Sequence, residues 1–78
     1  VKRIAVLGST GSIGVQTLEV AARNRQKIEI TALTAGKNHR KMLEQIMKFK
    51  PRLAALKDSS SAEELRKNLG NSVDTVVL

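Results

Sequence analysis

Gly8-Ser9-Thr10-Gly11-Ser12-Ile13-Gly14 stands between the apolar run Arg3-Ile4-Ala5-Val6-Leu7 and the stretch Val15-Gln16-Thr17-Leu18-Glu19-Val20-Ala21-Ala22. The first run reads as a buried parallel strand, and the second spaces its apolar residues as a helix does. A chain that leaves a strand and enters a helix at once needs a backbone conformation that side chains resist, and Gly8 supplies it. Gly11, without a Cβ, lets a phosphate approach backbone N–H groups that carry the positive end of the helix dipole. Gly14 allows the helix to pack closely, and the Thr10 and Ser12 hydroxyls stand where phosphate or ribose oxygens would lie. The spacing, GxxGxxG, differs from the common dinucleotide fingerprint GxGxxG by one residue in its first interval. A nucleotide cradle is the favoured reading; a merely tight structural turn, with Ser12 capping the helix, is the alternative.

The 78 residues make one small unit, with room for about one of the two halves of a doubly wound dinucleotide fold. The chain has no initial methionine and ends on apolar Val76-Val77-Leu78, so it is expected to be an N-terminal piece of a longer enzyme. With no cysteine there is no disulfide, thiol nucleophile or thiolate metal site. No apolar run has the length of a membrane span, and the one aromatic residue, Phe49, offers no stacking platform for nucleic acid. The net charge of +7 is uneven: residues 1–57 hold twelve Lys or Arg against Glu19, Glu29 and Glu44, and the remainder two against four acids. Basic charge thus accompanies the glycine turn, which suits an anionic cofactor as well as nucleic acid or a solvated surface.

Beyond the first helix, Ile28 to Leu33 reads as a second strand, Asn38 as the cap of a second helix, and Met42, Leu43, Ile46 and Met47 as its core face. Pro51 ends that helix, and Leu53 to Leu56 is a short third strand. Ser60 with Glu63, or Ser61 with Glu64, can form a capping box for a third helix that Gly70 stops, and Asp74 to Leu78 is a fourth strand. The pattern predicts an α/β fold, the first half of a Rossmann-like parallel sheet with strand order 3-2-1-4, and the glycine turn beside the point where that order reverses.

An NAD site usually offers a carboxylate to the ribose about 20 residues past the turn. Here Thr34 to Lys41 holds no acid; Lys37, Arg40 and Lys41 offer cations to a 2′-phosphate, Asn38 a polar side chain and Gly36 close backbone approach. This favours NADP over NAD. His39 has no ligand partner at metal-binding spacing, and no Ser-His-Asp set or HExxH pair occurs. Two rivals stay open: another NADP-dependent reductase, for instance of the short-chain dehydrogenase type, and a non-enzymatic nucleotide- or nucleic-acid-binding module.

Read together, VLGSTGSIGVQTLEV, TALTAGKNHRKMLEQ and KPRLAALKD closely resemble the N-terminal cofactor-binding region of the 1-deoxy-D-xylulose 5-phosphate reductoisomerase family, over essentially the whole chain. The resemblance implies that residues 1–78 are the N-terminal part of an NADP-binding Rossmann-like domain whose catalytic and C-terminal domains follow. The implied parent is a homodimer that uses NADPH to convert 1-deoxy-D-xylulose 5-phosphate to 2-C-methyl-D-erythritol 4-phosphate in non-mevalonate isoprenoid synthesis. It implies Mg²⁺ or Mn²⁺ held by acidic residues outside this chain, no nucleic-acid or membrane partner, and a bacterial cytoplasm or plastid stroma. By matched motif, Ser9, Thr10, Gly11, Ser12 and Ile13 contact the cofactor's phosphates and nearby groups, with Gly36, Lys37 and Asn38 around its adenosine end. The 78 residues alone are not expected to be catalytic.

Overall fold

Alternating apolar strands and one-sided helices leave each helix a single way to bury its stripe, against a sheet. The computed structural model describes all residues, Val1–Leu78. In chain order it forms β1 (Lys2–Leu7), α1 (Ser12–Arg23), β2 (Ile28–Ala35), α2 (His39–Phe49), β3 (Leu53–Leu56), α3 (Ser59–Leu69) and β4 (Val76–Val77). Every strand pairing is parallel. The expected α/β fold with a Rossmann-like parallel sheet is what the chain forms.

The strand order is not the expected 3-2-1-4 but β1-β2-β3-β4. Helix α3 turns its apolar residues Ala62, Leu65 and Leu69 into the same core that α2 enters with Met42 and Ile46. Its C-terminus is therefore delivered beside β3. Residues 71–75 have only to reach that neighbouring edge, where Val76 N–H donates to Arg52 O and Leu78 N–H to Ala54 O, each at 2.9 Å. The far side of β1 lies three strand spacings away, ~14 Å. Alternation of strand and helix specifies the crossover but not the direction in which the sheet grows. As a result β1 is an edge strand, and the glycine turn stands at an open sheet edge instead of beside a reversal.

Growth in one direction with crossovers of one hand also puts all the helices on one face. The row Val6, Leu33, Ala54 and Val77, aligned across the strands, faces them, with the first three buried. The adjacent row Ala5, Ala32, Leu53 and Val76 lies on the uncovered face, where Leu53 and Val76 are exposed. The first strand, expected to be buried, is thus covered on one side only.

Caps set the helix ends. Asn38 caps α2 as expected, its Oδ1 accepting from Lys41 N–H at 3.1 Å, and Lys50 ends that helix in the left-handed region (φ 49°) before Pro51. The third helix starts earlier than a serine cap would place it: Asp58 is the N-cap. Its Oδ2 accepts from the Ser61 hydroxyl at 2.7 Å, the Ser60 hydroxyl at 2.9 Å and Ser61 N–H at 3.0 Å. These bonds, led by the Ser61 hydroxyl and helped by the Lys37 ammonium, hold the Asp58 carboxyl below the usual carboxylate range. A carboxylate outcompetes hydroxyls for the helix amides because its charge also opposes the helix dipole.

Because the folded pKa is lowered, the stability this cap brings is complete above the pKa of an unfolded aspartate, about 3.9, and is lost as the pH falls through the lower folded value. Asp58→Ala is expected to lower the urea midpoint at pH 7, and the gap between parent and variant is expected to close progressively below pH about 4. A gap independent of pH would show that the charge contributes nothing.

Candidate functional site

The turn after β1 is built by bonds to the end of β2. Gly8 takes φ +71°, a left-handed conformation that L side chains resist, and Gly11 N–H returns to Gly8 O at 3.1 Å. Ser9 N–H donates to Thr34 O at 2.8 Å and Gly8 N–H to Thr34 Oγ1 at 3.3 Å. Helix α1 then presses onto the turn at Gly14, where a Cβ would lie 2.2 Å from Gly8 O and 2.7 Å from Ser9 Cα. Gly14 thus makes room for the turn itself, not only for the strand. Gly11 is different, since a Cβ there would meet only Gly8 O, at an ordinary 3.5 Å. The protein's own packing does not require glycine at that position.

The N-terminus of α1 is left open. Its N-cap is Gly11, in extended conformation, with no side-chain cap and no acid in the first turn. The N–H groups of Thr10, Ser12, Ile13 and Gly14 donate to no acceptor in the chain. Ser12 is the first helical residue and does not cap; it is exposed, and Thr10 is partly so. Ile13 holds a large apolar side chain in solvent at 81% exposure. Unpaired amides, a positive dipole end and an apolar side chain beside them are suited to a phosphate joined to a less polar group. Ser9 is placed otherwise: it is fully buried beneath the turn, its N–H bonded to Thr34 and its carbonyl to Gln45 Nε2 at 2.8 Å. It shapes the turn and offers no side-chain surface.

The second cluster lies at the same end of the neighbouring strand, because Leu7 is in register with Thr34. Gly36, Lys37 and Asn38 are all exposed between β2 and α2. A Cβ on Gly36 would touch nothing within 4 Å. The loop after β3 comes alongside, with Lys57 N–H on Ala35 O at 2.9 Å and Asp58 N–H on Gly36 O at 3.1 Å. Gly36, Lys37, Lys57 and Asp58 together line a shallow depression. Of the cations expected here, Lys41 instead borders a groove between α1 and α2 that also holds Glu19 and Glu44.

Two residues of the site were not singled out from the sequence. Lys57 has a usable signal, its place just past the third strand, where parallel neighbours bring their ends together. Gln45 has none: helical spacing marked Met47 as core, whereas Met47 is 46% exposed and Gln45 only 8%. No three His, Asp or Glu side chains gather anywhere in the chain. No helix is long and apolar enough to cross a membrane.

Residues 4–78 match the profile of a family described as 1-deoxy-D-xylulose 5-phosphate reductoisomerase. The chain is 52% identical over 68 residues to the 1-deoxy-D-xylulose 5-phosphate reductoisomerase of Photorhabdus laumondii, an alignment covering 87% of this chain and 17% of that protein. It is 47% identical over 73 residues to the chloroplastic enzyme of Mentha piperita, covering 94% of this chain and 16% of the other. Its fold superposes on a crystal structure of DOX-P reductoisomerase in complex with NADPH, fosmidomycin and magnesium with a TM-score of 0.92 and 29% identity, covering 100% of this chain and 19% of that one. The chain therefore spans less than a fifth of the length of these relatives.

The glycines separate by what a methyl group would do. Gly8→Ala is expected to cost about 1–2 kcal/mol of stability through its left-handed backbone, and Gly14→Ala more, since backbone must move. Gly11→Ala is expected to stay within about 0.5 kcal/mol of the parent. Thermal unfolding of the three variants checks this ordering; an equal loss at Gly11 would mean that the turn itself needs that glycine.

Proposed function

We propose that this chain, which belongs to the 1-deoxy-D-xylulose 5-phosphate reductoisomerase family, is the part of a reductoisomerase that holds NADPH by its pyrophosphate and adenosine portions. The observation that carries this reading is the pairing of two features at one sheet end. The first turn of α1 has unpaired amides, and the stretch after β2 offers Lys37 and no acid of its own, the adjacent Asp58 carboxylate being engaged as the cap of α3. In this reading the N–H groups of Thr10, Ser12 and Ile13 take the pyrophosphate oxygens, with Gly11 giving them room and the Thr10 and Ser12 hydroxyls adding donors. Ile13 covers the cofactor with apolar surface. Lys37 pairs with the 2′-phosphate, Asn38 presents its amide N–H while its oxygen caps α2, and Gly36 admits the adenosine closely. Lys57, which lines the same depression with Asp58, is a further cation there.

When bound, NADPH would supply the hydride, and these residues would bind and orient the cofactor. The whole enzyme is proposed to convert 1-deoxy-D-xylulose 5-phosphate to 2-C-methyl-D-erythritol 4-phosphate as a homodimer in a bacterial cytoplasm or plastid stroma. Its divalent cation, Mg²⁺ or Mn²⁺, and its sugar phosphate are held by residues outside this chain. The chain's 12 Lys and Arg in residues 1–57 raise the local concentration of both anionic ligands without specifying either.

Lys37→Glu in the full-length enzyme is expected to weaken NADPH by at least about tenfold and NADH by less than about twofold, because only NADPH carries the 2′-phosphate. Titration of both cofactors by fluorescence measures this, and equal losses would remove Lys37 from the 2′-phosphate site.

A further inference from the structure

Gln45 buries an amide on the inner side of α2, between the level of Met42 and that of Ile46, both fully buried, while Glu44 before it is exposed. Its Nε2 donates to Ser9 O at 2.8 Å, a bond between residues 36 positions apart. That carbonyl belongs to the Ser9–Thr10 peptide, whose other polar group is the unpaired Thr10 N–H. In a planar trans peptide the C=O and N–H point in opposite directions. Holding the carbonyl toward α2 therefore aims the Thr10 N–H away from α2, on the side of the peptide where it meets no acceptor in the chain. Ser9 N–H on Thr34 O fixes the preceding peptide in the same way. We propose that Gln45 is a positioning residue for cofactor binding: through Ser9 it sets the orientation of the peptide that presents Thr10 N–H to the pyrophosphate. The inference rests on the reading of this turn as the NADPH pyrophosphate site.

The bond is a poor device for stability alone. Gln45 Oε1 and Ser9 Oγ are both buried without a protein partner, so the amide brings with it an acceptor that no other group of the chain satisfies. An apolar side chain of similar volume would fill the space without that cost. What it would not do is hold the peptide plane, and a phosphate cradle works only with its donors already aimed. Gln45 also lies on the helix whose N-terminus carries Asn38 and Lys37, so one rigid element registers the turn against the adenosine end.

The test uses the full-length enzyme with Gln45→Met. The unfolding temperature is expected to stay within about 3 °C of the parent, the Kd and KM for NADPH to rise about tenfold, and kcat at saturating NADPH to change less than about twofold. NADH is expected to weaken by the same factor, because the pyrophosphate is common to both cofactors. Gln45→Asn, which withdraws the amide by one methylene, is the second arm and is expected to give the same loss; it decides the question if the Met variant does not fold. Ile46→Val, in the same helical turn, is the packing control and is expected to leave both affinities unchanged. Unchanged affinity in the Gln45 variants, a loss confined to NADPH, or an equal loss in Ile46→Val would overturn the inference. A parent enzyme that binds neither cofactor would instead overturn the cofactor reading itself, and this inference with it.

Discussion

The contact between Gly14 and the Gly8–Ser9 backbone governs this structure. A helix can begin immediately after a strand only if its first turn lies against the loop that joins them, and the 2.2 Å left for a Cβ at Gly14 shows how close that approach is. The left-handed backbone at Gly8 bends the chain into this position, and the end of β2 holds it there through Thr34. From that contact follow the direction of α1, the burial of Leu18 and Ala21 against the sheet, and the open orientation of the first helical amides. The same constraint thus serves packing and the candidate site together.

Electrostatics separates the helix ends that are structurally closed from the one that is left open. Each of the three helices lacks an acid in its first turn, yet only α1 also lacks a side-chain cap. Asp58 closes α3 with a charged acceptor, and Asn38 closes α2 with a neutral one while keeping its amide nitrogen free of protein partners. Uncompensated amides cost free energy unless water or a ligand takes them. An anionic cofactor lying across α1 and α2 would meet an open dipole at one end and Lys37 at the other. The net positive charge reinforces the same sign of field.

The uncovered face and the free edge of β1 fit a chain that spans less than a fifth of its relatives. Parallel sheets in such folds are normally covered on both faces. Here Leu7, Leu53 and Val76 stand exposed on the bare face, beside the solvent-exposed pair Arg3–Glu29 at 3.2 Å. The glycine turn is nevertheless closed by bonds to β2 and α2 alone, through Thr34 and Gln45, whereas the Gly36 loop also takes bonds from Lys57 and Asp58 beyond β3.

What depends on near neighbours along the chain is legible in the residues alone. The left-handed turn at Gly8, the tight entry at Gly14, the Asn38 cap, the end of α2 before Pro51 and the parallel βα alternation all follow from local backbone geometry and the spacing of apolar residues. The acid-free stretch around Lys37 was equally plain, because it is a matter of composition at a known distance from the turn. Which edge received β4 was settled by tertiary packing, since alternation carries no direction and the docking of α3 beside α2 does. Packing alone buried Ser9 and Gln45 against each other, exposed Met47, and brought Lys57 to Gly36. Those are meetings between residues far apart in the chain, fixed by how the elements pack, and no local pattern encodes them.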